Sequence, residues 1–592
     1  MATETIVSPG VLLQEVDKSF ILPGTDPSGL AIIGPTARGP IEVPTKVTNY
    51  NEFKEVFGTT IRSGSSAYEY FTNLSVKNYF DNGGSSVLVS RVVSGSESDS
   101  EYAKGWAAAT STHISASAKL SVQPFTLQSI GRGAYLNSVG PEYAGGALHS
   151  GSKDNFRWEI GNVNNKAGTF TVTIRRGDDT TASPTVLEQF TNCSLDPLSP
   201  NYISKRIGDQ SSTVALDGSD YVVNVAGEFP NKSNLIRVST VNLPAYQYLA
   251  PDGGVATDSA NASYSASLPI ISTGSFESAT GLNTPVGVAA HYASTSSNAA
   301  GHGKIQGLDT GSYTKAISLL KNKDEFKFKT LVVPGLNQEY HSTTIDTIIS
   351  NTTFRGDNLF VTDLTAYGST IANAKTEAEE LDTNYAAAYW PWVQVRSTEL
   401  NRNVWCPAST IIPGVYSQND SISAPWFAPA GEVRGKISRL SVKVETKLSK
   451  TQRDDLYTSK INPIATFPDV GLVVFGQKTL QQTTSALDRV NVRRMLLDVK
   501  ETIGGFSDKL VFEQNTQQTR DRFARAANPY LESLVQRQGI YAFQIKMDGQ
   551  NNTPDIIDEN KLVGQVFLQP TKTAEFVVID FIVTPTGASF TD

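Results

Sequence analysis

The sequence predicts a multidomain α/β (α+β) protein whose core is built from both chain ends and a middle α/β part, with a mostly β insertion between them. Three observations carry this reading. At 592 residues the chain exceeds the length at which a single core stops growing. Helical and strand patterns alternate on both sides of a segment, 94–283, that is rich in Ser, Thr, Gly and Asn. The last hundred residues hold two regular helical patterns followed by three β-prone runs. The expected division is 1–23 with 481–592 as a core domain with linking arms, 24–93 with 284–480 as an α/β domain, and 94–283 as an outward β insertion of one or two lobes.

Ser8-Pro9-Gly10 punctuates the start, and Val11 to Val16 is a short β-prone run that ends before a second breaker at Leu22-Pro23-Gly24. A strand fenced by turns has no sequence neighbour to pair with, so its backbone groups need partners from distant chain or from another subunit. Next come a strand at Leu30 to Ile33, a short helix around Asn51 to Phe57, and a helix from about Ser66 to Phe80 that stops at Asn82-Gly83-Gly84 before a strand over Val87 to Val93. In the insertion, FTVTI at Phe170 to Ile174 and Tyr221 to Val225 alternate as strands do.

Beyond the insertion, Tyr313 to Leu320 reads as helix, Phe328 to Val333 as a strand ending at Pro334-Gly335, Leu359 to Asp363 as a strand, and Tyr385 to Val395 as an apolar, aromatic run. This alternation implies a largely parallel sheet covered by helices and shared with Leu30 to Val93. Val492, Leu496, Val499 and Ile503 define one helix, expected to end near Gly504-Gly505. Phe523, Ala527, Tyr530 and Leu534 define a second, capped by Asn515 or Thr516, kinked at Pro529 and closed at Gly539. Runs at Tyr541 to Met547, Leu562 to Leu568 and Glu575 to Val583 follow, and the last is apolar on both faces. Such a strand requires cover on both sides.

Chemistry is sparse. The five histidines are scattered, with no HExxH or HxH spacing, and read as surface or loop residues. Cys193 and Cys406 form no CxxC pair, which suits a reducing cytoplasm. Phosphate loops, dinucleotide fingerprints and nucleophile elbows are absent, and Asp178-Asp179 and Asp454-Asp455 read as polar turns or a solvated helix face. No enzyme, metal or cofactor is expected. A net charge of -8 argues against nucleic acid as a main partner, and no run approaches the ~20 apolar residues of a membrane span, so synthesis and assembly in the cytosol are expected. Arg493-Arg494, Arg520, Arg522 and Arg525 cluster on the two C-terminal helices, either as a solvated face with Asp488, Asp498, Asp521 and Glu532 as partners or as a face that meets another protein.

A series of phrases in order resembles the contractile tail sheath family: SPGVLLQEV from Ser8, GPTARGP from Gly34, NEFKEVFG from Asn51 and NYFDNGGSSVLVSRVV from Asn78. APWFAPAGEVRG from Ala424, LYTSKINPI from Leu456, VVFGQKTL from Val473, DRVNVRRMLLDVKETIG from Asp488 and FEQNTQQTRDRF from Phe512 continue it. DGQNNTPDIID from Asp548 and VFLQPTKTAEFVVIDFIVTPTGASF from Val566 complete it, the last being most like T-even sheaths. The insertion carries no such match beyond SLDPLSPNYI from Ser194.

The resemblance implies a structural subunit of a virion tail, assembled in the host cytoplasm. It would polymerise with itself as stacked six-fold rings around a tail tube, between baseplate and tail terminator or neck proteins. Contraction from a metastable extended state would drive the tube through the host envelope for genome ejection. The sheath of an R-type bacteriocin or other injection particle is the alternative. The resemblance also implies inter-subunit linking arms at Val11, Leu12, Leu13, Glu15 and Val16 and at Phe576, Val577, Val578, Ile579 and Phe581, and the charged face beside the core makes Arg522, Arg525 and Glu532 the expected tube-facing surface.

Overall fold

Leu30 and Ile32 point to one side of their strand and Ala31 and Ile33 to the other, and all four are fully buried in two separate apolar clusters. A strand buried on both faces belongs inside a parallel sheet covered by helices. The computed structural model describes residues 28–63, 66–93, 108–117, 121–133, 142–149, 151–153, 155–218, 220–245, 267–277, 304–306, 308–437 and 441–575. In it an eight-stranded sheet runs in the order Thr45–Val47, Val87–Arg91, Ser28–Gly34, Phe328–Asn337, Leu359–Asp363, Ala386–Trp390, Ile461–Phe467 and Gly471–Val474. Only the two outer pairings are antiparallel. The sheet therefore takes strands from both sides of 94–283, as the alternation of patterns requires.

Two elements depart from the sequence reading. Ser66–Glu69 is a strand paired with Thr60–Ser63, and the helix begins only at Phe71, because Tyr70 is extended and backbone bonds within the hairpin claim the residues before it. The helix expected to stop at Gly504-Gly505 runs on as Val490–Asp508. Neither glycine has a neighbour within 4 Å of where a Cβ would sit. Both are helical, and Phe506 beyond them packs edge-on against Tyr530 of the next helix at 6.4 Å, which outweighs roughly 1 kcal/mol of propensity per glycine.

The insertion forms a seven-stranded sheet in the order Val186–Ser194, Thr169–Arg176, Phe156–Asn164, Ser272–Glu277, Ala108–Ser111, Phe125–Arg132 and Ile236–Val241, with antiparallel pairing between neighbours. Its own core gathers Phe125, Trp158, Phe170 and Phe276. Arg91, buried at the end of a strand of the parallel sheet, donates to the carbonyls of Gly39 at 2.7 Å and Arg132 at 2.6 Å, tying the two sheets together. Burial pushes its guanidinium down to about 10.

The reading of Asp178-Asp179 as a solvated turn is corrected here. Asp178 pairs with Arg176, but Asp179 is only 4% exposed and takes a two-pronged ion pair from Arg175, with Nε at 2.8 Å and Nη2 at 2.9 Å. Arg175 itself spans to Glu159 at 2.7 Å. His341 is likewise not a surface residue: it is buried in a helix and its Nδ1 accepts from the Asn337 backbone N–H at 3.2 Å.

Candidate subunit interface

The C-terminal part is organised around two helices and a hairpin. Val490–Asp508 presents Val492, Met495 and Val499 to Leu531 and Leu534 of the Gln517–Gln536 helix, around a buried Trp426. Thr516 caps the second helix, and Pro529 lies within it. The hairpin Ile540–Lys546 with Gln565–Pro570 lays Phe543, Ile545, Val566 and Leu568 on this core and leaves Phe567 on the outer face. Tyr541 sits at a bulge in the pairing and is 64% exposed.

Among the described residues neither hairpin strand pairs with a third strand, so both edges present unpaired N–H and C=O groups. A two-stranded sheet with two open edges is a template for added strands. The sequence marked both runs as strands but could not reveal that, among the described residues, no third strand pairs with them.

Past the hairpin the chain reaches Glu575, whose carboxylate is held from several sides. Arg489 donates through Nε at 2.6 Å and Nη2 at 2.9 Å, Tyr457 through its hydroxyl at 2.9 Å, and Gln477 through Nε2 at 3.1 Å. Gln477 also donates to Thr573 at 2.6 Å. Burial alone would raise the Glu575 pKa, but the donors from Arg489, Tyr457 and Gln477 outweigh it and hold the carboxyl below its ordinary 4.5. Lys478, over the Tyr457 ring at 3.9 Å, is pushed down to about 8 by burial and by the neighbouring charges of Lys460 and Arg489.

A folded pKa below the unfolded one stabilises the clamp above pH 4.5, and this contribution is lost as pH falls through the lower folded value. Arg489→Ala is expected to remove about 2 kcal/mol of local stability. Hydrogen exchange at Thr571 to Glu575 then speeds up roughly thirtyfold at neutral pH while exchange in the hairpin strands is unchanged. Equal acceleration across the hairpin would mean that Glu575 is not separately clamped.

The sequence-predicted residues distribute as follows. Val11, Leu12, Leu13, Glu15 and Val16, and Phe576, Val577, Val578, Ile579 and Phe581, lie outside the described residues. The arginine cluster is divided. Arg493 is buried over the Tyr385 ring at 3.4 Å, Arg494 reaches Asp420 at 2.5 Å, and Arg520 is buried with Asn515 at 3.0 Å. They are not part of a solvated face, and of the acids expected as partners Asp488 pairs with Arg489 and Asp498 with Lys329. Arg522, Arg525 and Glu532 are exposed and share one side of the Gln517–Gln536 helix by their spacing. Arg522 pairs with Glu513 at 3.1 Å. Beside Glu513, Phe512 is 100% exposed with φ 68°, a left-handed conformation that costs a non-glycine residue about 1–2 kcal/mol. No sequence pattern marked that exposed ring.

Residues 482–584 match the family model described as the phage tail sheath C-terminal domain. Over those residues the C-terminal part is similar to a phage tail sheath domain. The sheath resemblance extends to curated relatives: the chain is 33% identical over 220 residues to the tail sheath protein of Vibrio phage KVP40, covering 37% of this chain and 32% of that one. It is 36% identical over 188 residues to the tail sheath protein of Enterobacteria phage T4, covering 32% and 28%. The matched segment thus spans about a third or less of the length of these sheath relatives. Among solved structures, the sheath tail protein Lin1278 of Listeria innocua covers 89% of this chain and 90% of its own at 8% identity and a TM-score of 0.47.

Proposed function

We propose that the chain is the subunit of a contractile tail sheath. The observation that carries this is the sheath domain at 482–584 together with a hairpin whose two edges are open. An edge of this kind accepts an extended segment by main-chain hydrogen bonds, and two segments of this sequence, Val11 to Val16 and Phe576 to Val583, read as strands in need of partners. Donated to the hairpins of neighbouring copies, they link subunits head to tail, and a head-to-tail contact that does not close on itself builds a helical polymer. Six-fold rings stacked around a tail tube, joined to a baseplate below and to terminator or neck proteins above, are the assembly this supports.

Because the links are covalently continuous with each subunit, packing between subunits can change while the links persist. Contraction is a transition between two packings of one fold, extended and contracted, and a few kcal/mol per subunit summed over the polymer drives the tube forward without nucleotide hydrolysis. The subunit thus acts as a structural component of a virion tail, assembled in the host cytoplasm.

The side bearing Arg522, Arg525 and Glu532 is the tube-facing surface, with Phe512 beside it. Charge reversal, Arg522→Glu with Arg525→Glu, is expected to leave the subunit folded and to lower assembly on preformed tubes at least tenfold, read by co-sedimentation. Unchanged assembly on tubes would assign this surface elsewhere.

A further inference from the structure

Where the hairpin meets the body, a groove of about 980 Å³ is lined by Trp426, Phe475 and Tyr541. Phe475 is 45% exposed and Tyr541 64%, so both rings present apolar surface to the groove. Arg434, Lys450, Arg453 and Lys572 also line it, with the Arg453 guanidinium 5.0 and 5.4 Å from the neighbouring rings of Phe467 and Phe475. The acidic side chains of the lining are Asp454 and Glu575, and the Glu575 charge is neutralised by Arg489. The groove is therefore aromatic and cationic, and fits an apolar segment that carries acids.

We propose that in the unassembled subunit this groove seats the chain's own residues 576–583, which leave it for a neighbouring hairpin as the polymer grows. The second half of this statement rests on the proposed function; the docking itself does not. Three observations select this occupant. Residues Thr571 to Glu575 form part of the groove wall, so the chain continues into residue 576 from the groove itself. The segment FVVIDFIV has seven apolar residues and one acid, and residues 576–592 contain Asp580 and Asp592 with no Lys or Arg, the complement of the groove's charge.

The third is the tether. A segment joined directly to the groove wall has an effective concentration in the millimolar range, about a thousand times that of a second copy at micromolar concentration. The clamp on Glu575 fixes the origin of that tether. Self-docking hides an apolar, two-faced strand in the free subunit, and the main-chain hydrogen bonds of a neighbour's open edge replace it on assembly.

The test uses the full chain held at micromolar concentration, with Val535→Cys on the groove wall combined with Val578→Cys or with Ile579→Cys. Successive residues of an extended segment face opposite ways, so one of the two pairs points into the groove. The native Cys193 and Cys406 are both buried. The expected result is an intramolecular disulfide in one pair, forming at a rate unchanged by tenfold dilution, with polymerisation blocked until reduction. No cross-link in either pair overturns the proposal, as does a disulfide-linked dimer whose rate follows concentration. Preferential cross-linking of Val535→Cys to Leu13→Cys assigns the groove to the N-terminal segment and also overturns it. Dilution-independent cross-linking with no polymer after reduction supports the docking and sinks the polymer reading; polymer without cross-linking does the reverse.

Discussion

Subunits truncated after Glu575 are expected to remain folded and to lose polymerisation completely. Trp426, Met495, Leu531 and Leu534 share one apolar cluster with Val492, Val499 and Ile540 and are 4%, 2%, 0% and 1% exposed, a core expected to hold without the terminal segment. What the truncation removes is the segment that can pair with an open hairpin edge, and each such strand contributes several main-chain hydrogen bonds along six or seven residues of partner. In the proposed polymer the links act in series, so losing one link per subunit would disconnect every ring from the next. Deleting residues 1 to 16 removes the other arm and has the same outcome. Circular dichroism and thermal melting check the fold, and light scattering checks the polymer. A truncated subunit that fails to fold would mean that the segment is part of the core and not a linker.

Arg175→Ala carries the largest expected cost to stability. Asp179 is nearly inaccessible, and Arg175 supplies a two-pronged pair to it while also reaching Glu159. Arg157 is the other cation near Asp179, and its Nη1 stands 3.7 Å away. Truncating Arg175 leaves a buried carboxylate with poorer compensation, which costs about 3–5 kcal/mol. Denaturant unfolding of the full chain is expected to show the insertion losing cooperativity first, while the parallel sheet keeps its midpoint. Replacing Asp179 by Asn together with Arg175→Met removes both charges and should recover most of the loss, since a buried pair exchanged for a neutral one is often close to isoenergetic. A change under 1 kcal/mol in Arg175→Ala would mean that water reaches this pair.

The contrast between these sites explains what the sequence could and could not reveal. Strands of the parallel sheet were legible because burial on both faces forces continuous apolar runs such as Leu30 to Ile33 and Leu359 to Val361. The two C-terminal helices were legible from their 3.6-residue period, although Met495 and Leu531 take core places that the pattern gave to Leu496 and Tyr530. Asp179 was misread because burial of a charge is decided by an arginine four residues away folding back across a turn, which polar composition does not disclose. The same limit hid Arg493, whose guanidinium stacks on Tyr385 more than a hundred residues earlier. Ser66–Glu69 satisfied a helical spacing through Ala67, Phe71 and Leu74, yet the backbone pairs locally with Thr60–Ser63.

At the candidate interface, the sequence reads Val11 to Val16 and Glu575 to Val583 as strands in need of partners, and the hairpin edges proposed to receive them emerged only from the topology. The clamp was beyond reach for a different reason. Tyr457, Gln477, Arg489 and Glu575 are separated by up to 118 positions, and no spacing rule joins them. Such a convergence of donors on one carboxylate fixes the position of Glu575, from which the terminal segment departs.

The central claim is that this chain links to its own copies through terminal strands and hairpin edges to form a hollow helical polymer. Negative-stain electron microscopy of the purified intact chain, set beside the chain truncated after Glu575, tests it most directly. The account predicts hollow, transversely striated tubes from the intact chain and dispersed particles from the truncated one. Dispersed particles from the intact chain under all assembly conditions, or identical tubes from both, would contradict it.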